Sequence, residues 1–126
     1  MLEIDRANTI LYCERWPETA AFYRDTLALP VAFERDWLLE LRLTEDAYLT
    51  VAEASRATMG ATGGRGVTLT WRVRDLGSCH ARLAAAGVPV EPIVRHPWGA
   101  RLFRFRDPEG NRLEIWSDAI DPEGTP

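Results

Sequence analysis

Two stretches of this chain repeat one order of elements. "NTILYCERWPETAAFYRDTLALPV" begins at Asn8 and "TLTWRVRDLGSCHARLAAAGVPV" at Thr68, and each reads as a short strand, a turn and a helix. Cys13 matches Val73 and Tyr23 matches Leu83 at the same offset, and both stretches close on Pro-Val, at Pro30 and Pro89, after a one-residue slip. A unit of this kind cannot bury its apolar face alone, so whatever follows each helix must supply a sheet.

The helices carry ordinary start and stop signals. Pro17 suits a first turn, and Ala20, Tyr23 and Leu27 form one stripe. The second helix runs from about Leu76 to Ala86, and Gly87 offers the left-handed cap that ends it. Extended runs follow: "VAFERDW", "LLELRL" and "AYLTVAEA" in the first half, and "VEPIV", "ARLFRFR" and "NRLEIWS" in the second, separated by turn residues that include Asp107 to Gly110. The order is βαβββ, twice. At 126 residues the expectation is a single domain, 1–126, with module one at 1–55, a Gly-rich linker at 56–66, module two at 67–120 and a tail at 121–126.

Alternation sorts inside from outside. Val67, Leu69, Trp71 and Val73 share the helix side, which leaves Thr68, Thr70 and Arg72 on the other. The same rule places Asn8, Ile10 and Tyr12, then Tyr48 and Thr50, then Arg112, Glu114 and Trp116 on that second face, together with Glu40, Arg42 and Arg104. A mixed aromatic and charged lining suits a ligand cleft, and an ordinary solvated sheet face is the plainer alternative. Of five tryptophans, Trp71 is assigned to the core and Trp16 to the start of the first helix. Trp116 has cleft parity, Trp37 lies at the hairpin between two strands with Phe33 on the same strand face, and Trp98 sits in a Pro-Trp-Gly loop. With Tyr12 and Tyr48 these rings could stack on a planar ligand.

Composition removes several function classes. The net charge of −4 and scattered arginines argue against a nucleic-acid partner. No signal peptide and no long uncharged apolar run is present, so no membrane partner and a cytoplasmic location are expected. Cys13 and Cys79 fall inside regular elements and read as small buried thiols in a reducing compartment.

The opening strand and helix "TILYCERWPETAAFYRDTLALPV", the closing hairpin "WGARLFRFRDPEGNRLEIW" with its Asp-Pro-Glu-Gly-Asn, and the duplicated βαβββ order resemble the vicinal oxygen chelate superfamily. That family takes in glyoxalase I, extradiol dioxygenases, fosfomycin-modifying enzymes and bleomycin resistance proteins. Ala28 stands where the family commonly has glycine. The resemblance implies an α+β fold in which two βαβββ modules form a curved, incomplete barrel around a cleft, as a homodimer. In metal-dependent members the ligands come from the first and last strands of each module, which maps onto Asn8, about Thr50, Thr68 and Glu114.

Only Glu114 of those four is a typical ligand, and the two histidines, His80 and His96, fall elsewhere, so no metal and no cofactor is expected. Three roles remain open for Glu114: metal ligand, base in a metal-free lyase or isomerase, or structural carboxylate paired with Arg72, Arg104 or Arg112. Metal-free members of the family include drug-binding proteins, and on that likeness the expected function is sequestration of an aromatic or glycopeptide-type antibiotic. No catalytic residue is assigned in that reading. The ligand-binding set is Tyr12, Phe33, Trp37, Tyr48, Thr50, Thr70, Arg72, Trp98, Arg104, Arg112, Glu114 and Trp116. The alternatives are a lyase, isomerase or cyclase of the same fold using Glu114, with or without a metal, and a regulatory domain that makes only partner contacts.

Overall fold

The computed structural model describes residues 1–97 and 99–118. It divides into two compact units, Met1–Gly63 and the residues from Gly64 onward. Trp98 and the expected tail at 121–126 lie outside the described residues.

In the first unit, β1 (Ala7–Cys13), α1 (Trp16–Ala21), β2 (Val31–Arg35), β3 (Leu38–Thr44) and β4 (Ala47–Glu53) follow in order. The second repeats this with β5 (Thr68–Arg72), α2 (Leu76–Ala85), β6 (Val94–Arg95), β7 (Arg101–Arg106) and β8 (Arg112–Ser117). Each sheet has four strands, ordered β1-β4-β3-β2 and β5-β8-β7-β6. The first strand of each module lies parallel to the last, and the remaining neighbours are antiparallel. Parallel neighbours need a crossover connection, which the helix and two further strands provide. The α+β class and the doubled βαβββ order are as the sequence leads one to expect.

The helix-side face of each sheet holds the core. Leu11, Cys13, Leu39, Leu41, Leu49 and Val51 are buried in the first unit with Ala20 and Tyr23 of the helical segment. Leu69, Phe103, Phe105, Leu113 and Ile115 are buried in the second with Leu76 and Leu83 of α2. Each large side chain fully removed from water contributes about 1.5–3 kcal/mol. Cys13 is buried, Cys79 is partly so, and both are free thiols. Burial pushes the Cys79 thiol up from its ordinary value, which keeps it protonated and unreactive at neutral pH.

Polar side chains fasten the elements. The Trp16 indole donates to the Val51 carbonyl at 2.8 Å, tying α1 to β4. His80 on α2 meets the Glu91 carbonyl at 2.9 Å and sits edge-on to Phe103, which gives it a packing role. The buried Asp107 carboxylate accepts the backbone N–H groups of Glu109, Gly110 and Asn111 through Oδ1 and the Asn111 amide through Oδ2. That closes the β7–β8 turn, where Gly110 takes φ 103°. Among the described residues no helix is long and apolar enough to cross a membrane.

Two details depart from the sequence reading. The "VEPIV" run is a strand only at Val94–Arg95. Pro92 has no N–H to offer a ladder, and contact with β7 begins with the Glu91 N–H on the Arg104 carbonyl at 2.9 Å. The first helix also widens after Ala21 into a π-helical turn over Phe22–Thr26.

That turn ends at Ala28, the one non-glycine residue with positive φ among those described, at 55°. The Leu29 N–H returns to the Tyr23 carbonyl at 3.1 Å, so Ala28 fills a left-handed helix-ending position. Gly87 does the same for α2 at φ 87°, with the Val88 N–H on the Leu83 carbonyl at 3.0 Å. A Cβ in this region costs roughly 1–2 kcal/mol, partly offset by the restriction alanine places on the unfolded chain. Ala28→Gly is therefore expected to raise unfolding free energy by about 0.5–1 kcal/mol, read from urea unfolding curves; a lower midpoint would show that Ala28 is not strained.

Candidate functional site

The face of the second sheet turned away from its core is organised in rows, because β8 has β5 on one side and β7 on the other. Thr68, Arg112 and Arg106 share the first row; Thr70, Glu114 and Arg104 the second; Arg72, Trp116 and Leu102 the third. The middle row is bonded within itself. Thr70 Oγ1 donates to Glu114 Oε1 at 3.3 Å, Arg104 Nε donates to Oε2 at 3.0 Å, and Arg104 Nη2 lies 2.9 Å from the same oxygen. The Glu114 side chain keeps 21 % of its surface exposed and that of Arg104 32 %, so the pair is half-screened by solvent and each charge is compensated where it stands.

Of the three arginines the sequence offered as partners for Glu114, the structure selects Arg104. Arg112 donates its Nε to Thr68 Oγ1 at 2.9 Å. Arg72 lies over the Trp116 ring, 5.8 Å from its centroid, with Asp118 3.8 Å away. A hollow of about 600 Å³ opens on the lower two rows, lined by Thr70, Glu114 and Trp116 from β5 and β8 and by Leu102 from β7. His96, Ala100 and Asp118, from the segments flanking these strands, complete the wall. Leu102 could have been found by extending the parity of Arg104 two residues back. His96 could not, since the turn that sets it, with the Gly99 N–H on its carbonyl at 2.8 Å, follows a strand too short to announce itself.

The first sheet carries equivalent rows. Asn8, Tyr48 and Arg42 form one; Ile10, Thr50, Glu40 and Phe33 the next; Tyr12, Ala52, Leu38 and Arg35 the third. Thr50 takes the position Glu114 holds in the other module and is buried, its Oγ1 donating to Asn8 Oδ1 at 3.1 Å. The Arg6 guanidinium lies 3.9 Å from the Tyr48 ring centroid, and that of Arg35 lies 5.1 Å from Phe33. Phe33 is exposed, and Tyr12 and Tyr48 are half-buried. Trp37 occupies the β2–β3 turn, where its carbonyl accepts the Glu53 N–H at 2.8 Å.

The superfamily's sequence model matches residues 4–115. The chain belongs to the glyoxalase/bleomycin resistance protein/dioxygenase superfamily. It is 30% identical over 115 residues to the uncharacterized protein YraH of Bacillus subtilis, covering 79% of this chain and 87% of that one. Among solved structures of this superfamily's fold it is similar to a lactoylglutathione lyase from Agrobacterium tumefaciens, with 25% identity, a TM-score of 0.74 and coverage of 88% and 91%. It is also similar to TnmS3, an antibiotic binding protein from a Streptomyces species, with 22% identity, a TM-score of 0.74 and coverage of 94% and 97%.

The divalent-metal ligand positions that the family resemblance maps onto this chain are Asn8, about Thr50, Thr68 and Glu114. These residues do not fit such an ion. Asn8 and Thr50 are bonded to each other, Thr68 is bonded to Arg112, and Glu114 already accepts from a hydroxyl and a guanidinium. A hydroxyl and a carboxamide are weak neutral donors, and a cation beside Arg104 would meet a like charge.

Two outcomes test this site. Arg104→Met and Glu114→Gln should each destabilise, and a double-mutant cycle in urea should give a coupling of about 1 kcal/mol, the value for a partly exposed, charge-assisted pair; additive effects would mean the pair contributes nothing. Calorimetric titration of chelator-free protein with zinc, nickel or manganese should show no one-to-one binding in the micromolar range. A stoichiometric ion that Glu114→Gln abolishes would restore the metal site.

Proposed function

We propose that this protein binds and sequesters an aromatic or glycopeptide-type antibiotic, leaving the drug chemically unchanged. The observation that carries the reading is the hollow of the second module, where Trp116 and Leu102 offer apolar surface and the one carboxylate on β8 is held by Arg104 and Thr70. Holding a flat natural product needs ring surface and a few fixed polar groups; it does not need an activated water. Similarity in fold to an antibiotic binding protein supports the same reading.

A second reading, a lyase, isomerase or cyclase of this fold using Glu114, is favoured by His96 lining the same hollow, since an imidazole and a carboxylate could move a proton between them. The fold likeness to a lactoylglutathione lyase supports it.

The experiment is calorimetric titration with bleomycin, with a planar anthracycline and with an aromatic antibiotic that carries an acid group, assayed for turnover at the same time. The expected result is one-to-one binding at micromolar Kd or tighter, recovery of unaltered compound, and a loss of roughly ten-fold in affinity for Trp116→Ala. Failure of all three compounds to bind at micromolar concentration would overturn sequestration. Turnover that Glu114→Gln abolishes while binding survives would establish the enzymatic reading in its place.

A further inference from the structure

The row beyond the hollow carries two cations and no anion. Arg106 and Arg112 are directly opposed across β7 and β8. Like charges in that relation repel. Among the described residues neither has a carboxylate within ion-pair distance; Arg106 Nη1 donates to the Gly110 carbonyl at 2.8 Å and Arg112 Nε to Thr68 Oγ1 at 2.9 Å. The next two rows are compensated, by Glu114 on Arg104 and by Asp118 near Arg72. The excess of positive charge on this face is therefore confined to one place.

The fold does not require it. In the first module the place of Arg112 is taken by Tyr48, which pairs with Arg42 and leaves that row with a single strand-borne guanidinium. The second module as a whole is arginine-rich, with nine arginines against six acidic residues between positions 64 and 118. The donors left over suit an oxyanion. Arg112 keeps both terminal nitrogens, Arg106 keeps Nε and Nη2, and Thr68, which accepts from Arg112, retains its own hydroxyl proton.

Along β8 the order is Arg112, Glu114, Trp116. Four residues of strand span about 13 Å, a distance that the long arginine stems shorten. We propose that the ligand is an aromatic acid, its ring system against Trp116 and Leu102 in the hollow and its carboxylate, sulfonate or phosphate on Arg106, Arg112 and Thr68. This rests on the ligand-binding reading above and narrows it to anionic aromatic compounds.

The test uses two fluorescent probes with one ring system, 1-pyrenebutyrate and the neutral 1-pyrenebutanol, titrated against the full chain with energy transfer from tryptophan as the signal. Wild type is expected to bind the acid roughly ten- to a hundred-fold tighter than the alcohol, the range for charge-assisted hydrogen bonds. Added salt should narrow that gap. The variant R106Q/R112Q should bring the two affinities together, with an unchanged thermal melt as the control for folding, while Trp116→Ala should weaken both probes. A gap that persists in R106Q/R112Q, with Trp116→Ala still weakening both, would overturn the oxyanion site and leave the binding reading standing. Indifference of both probes to Trp116→Ala would remove the hollow as the site and the proposal with it, as would binding of neither probe.

Discussion

The pairing of each module's first strand with its last decides where everything else falls. Thr70 stands beside Glu114 because β5 runs parallel to β8 in that register, and Ile10 stands beside Thr50 for the same reason in β1 and β4. Parallel neighbours cannot be joined by a hairpin, so the chain must leave the sheet, cross as a helix and return through antiparallel strands. The crossing segment covers one face. The other face is left as rows, each holding one residue from the first, the last and the next-to-last strand, and chemistry is written in those rows.

Glu114 shows what such a row can do with a charge. A carboxylate turned into a hollow needs a partner or water, and this one finds both donors inside its own sheet, one on each side of β8. The position onto which the resemblance maps a metal ligand is here a closed pair. The neighbouring position on the same strand, Arg112, has no such compensation among the described residues, and the contrast between the two rows defines a direction across the face, from Trp116 through a neutralised pair to Arg112 and Arg106.

The duplication was legible because it is written in residue types that local physics demands. Gly87 and Ala28 mark the same left-handed end of a crossing helix, one residue out of step with the strands before them, as the Pro-Val slip indicates. The Asp107 to Gly110 turn announced itself for a similar reason: a short carboxylate that gathers three successive N–H groups leaves the backbone few alternatives. The extent of β6 was not legible, since Pro92 weakens a ladder without specifying where pairing resumes.

The sequence by itself determined the two βαβββ modules, the core face of each sheet and much of the polar face, though not Leu102 or Arg106, because alternation and helix-ending signals act over a few residues. It assigned Tyr12, Tyr48, Thr50, Thr70, Arg72, Arg104, Arg112, Glu114 and Trp116 to strand faces that the register bears out. Tertiary structure alone decided which arginine holds Glu114, that His96 shares its hollow, and that Arg106 and Arg112 stand opposed with no carboxylate at ion-pair distance among the described residues. Those facts depend on which strands are neighbours and in what register, and contacts between residues far apart in the chain leave no local pattern from which they could be read.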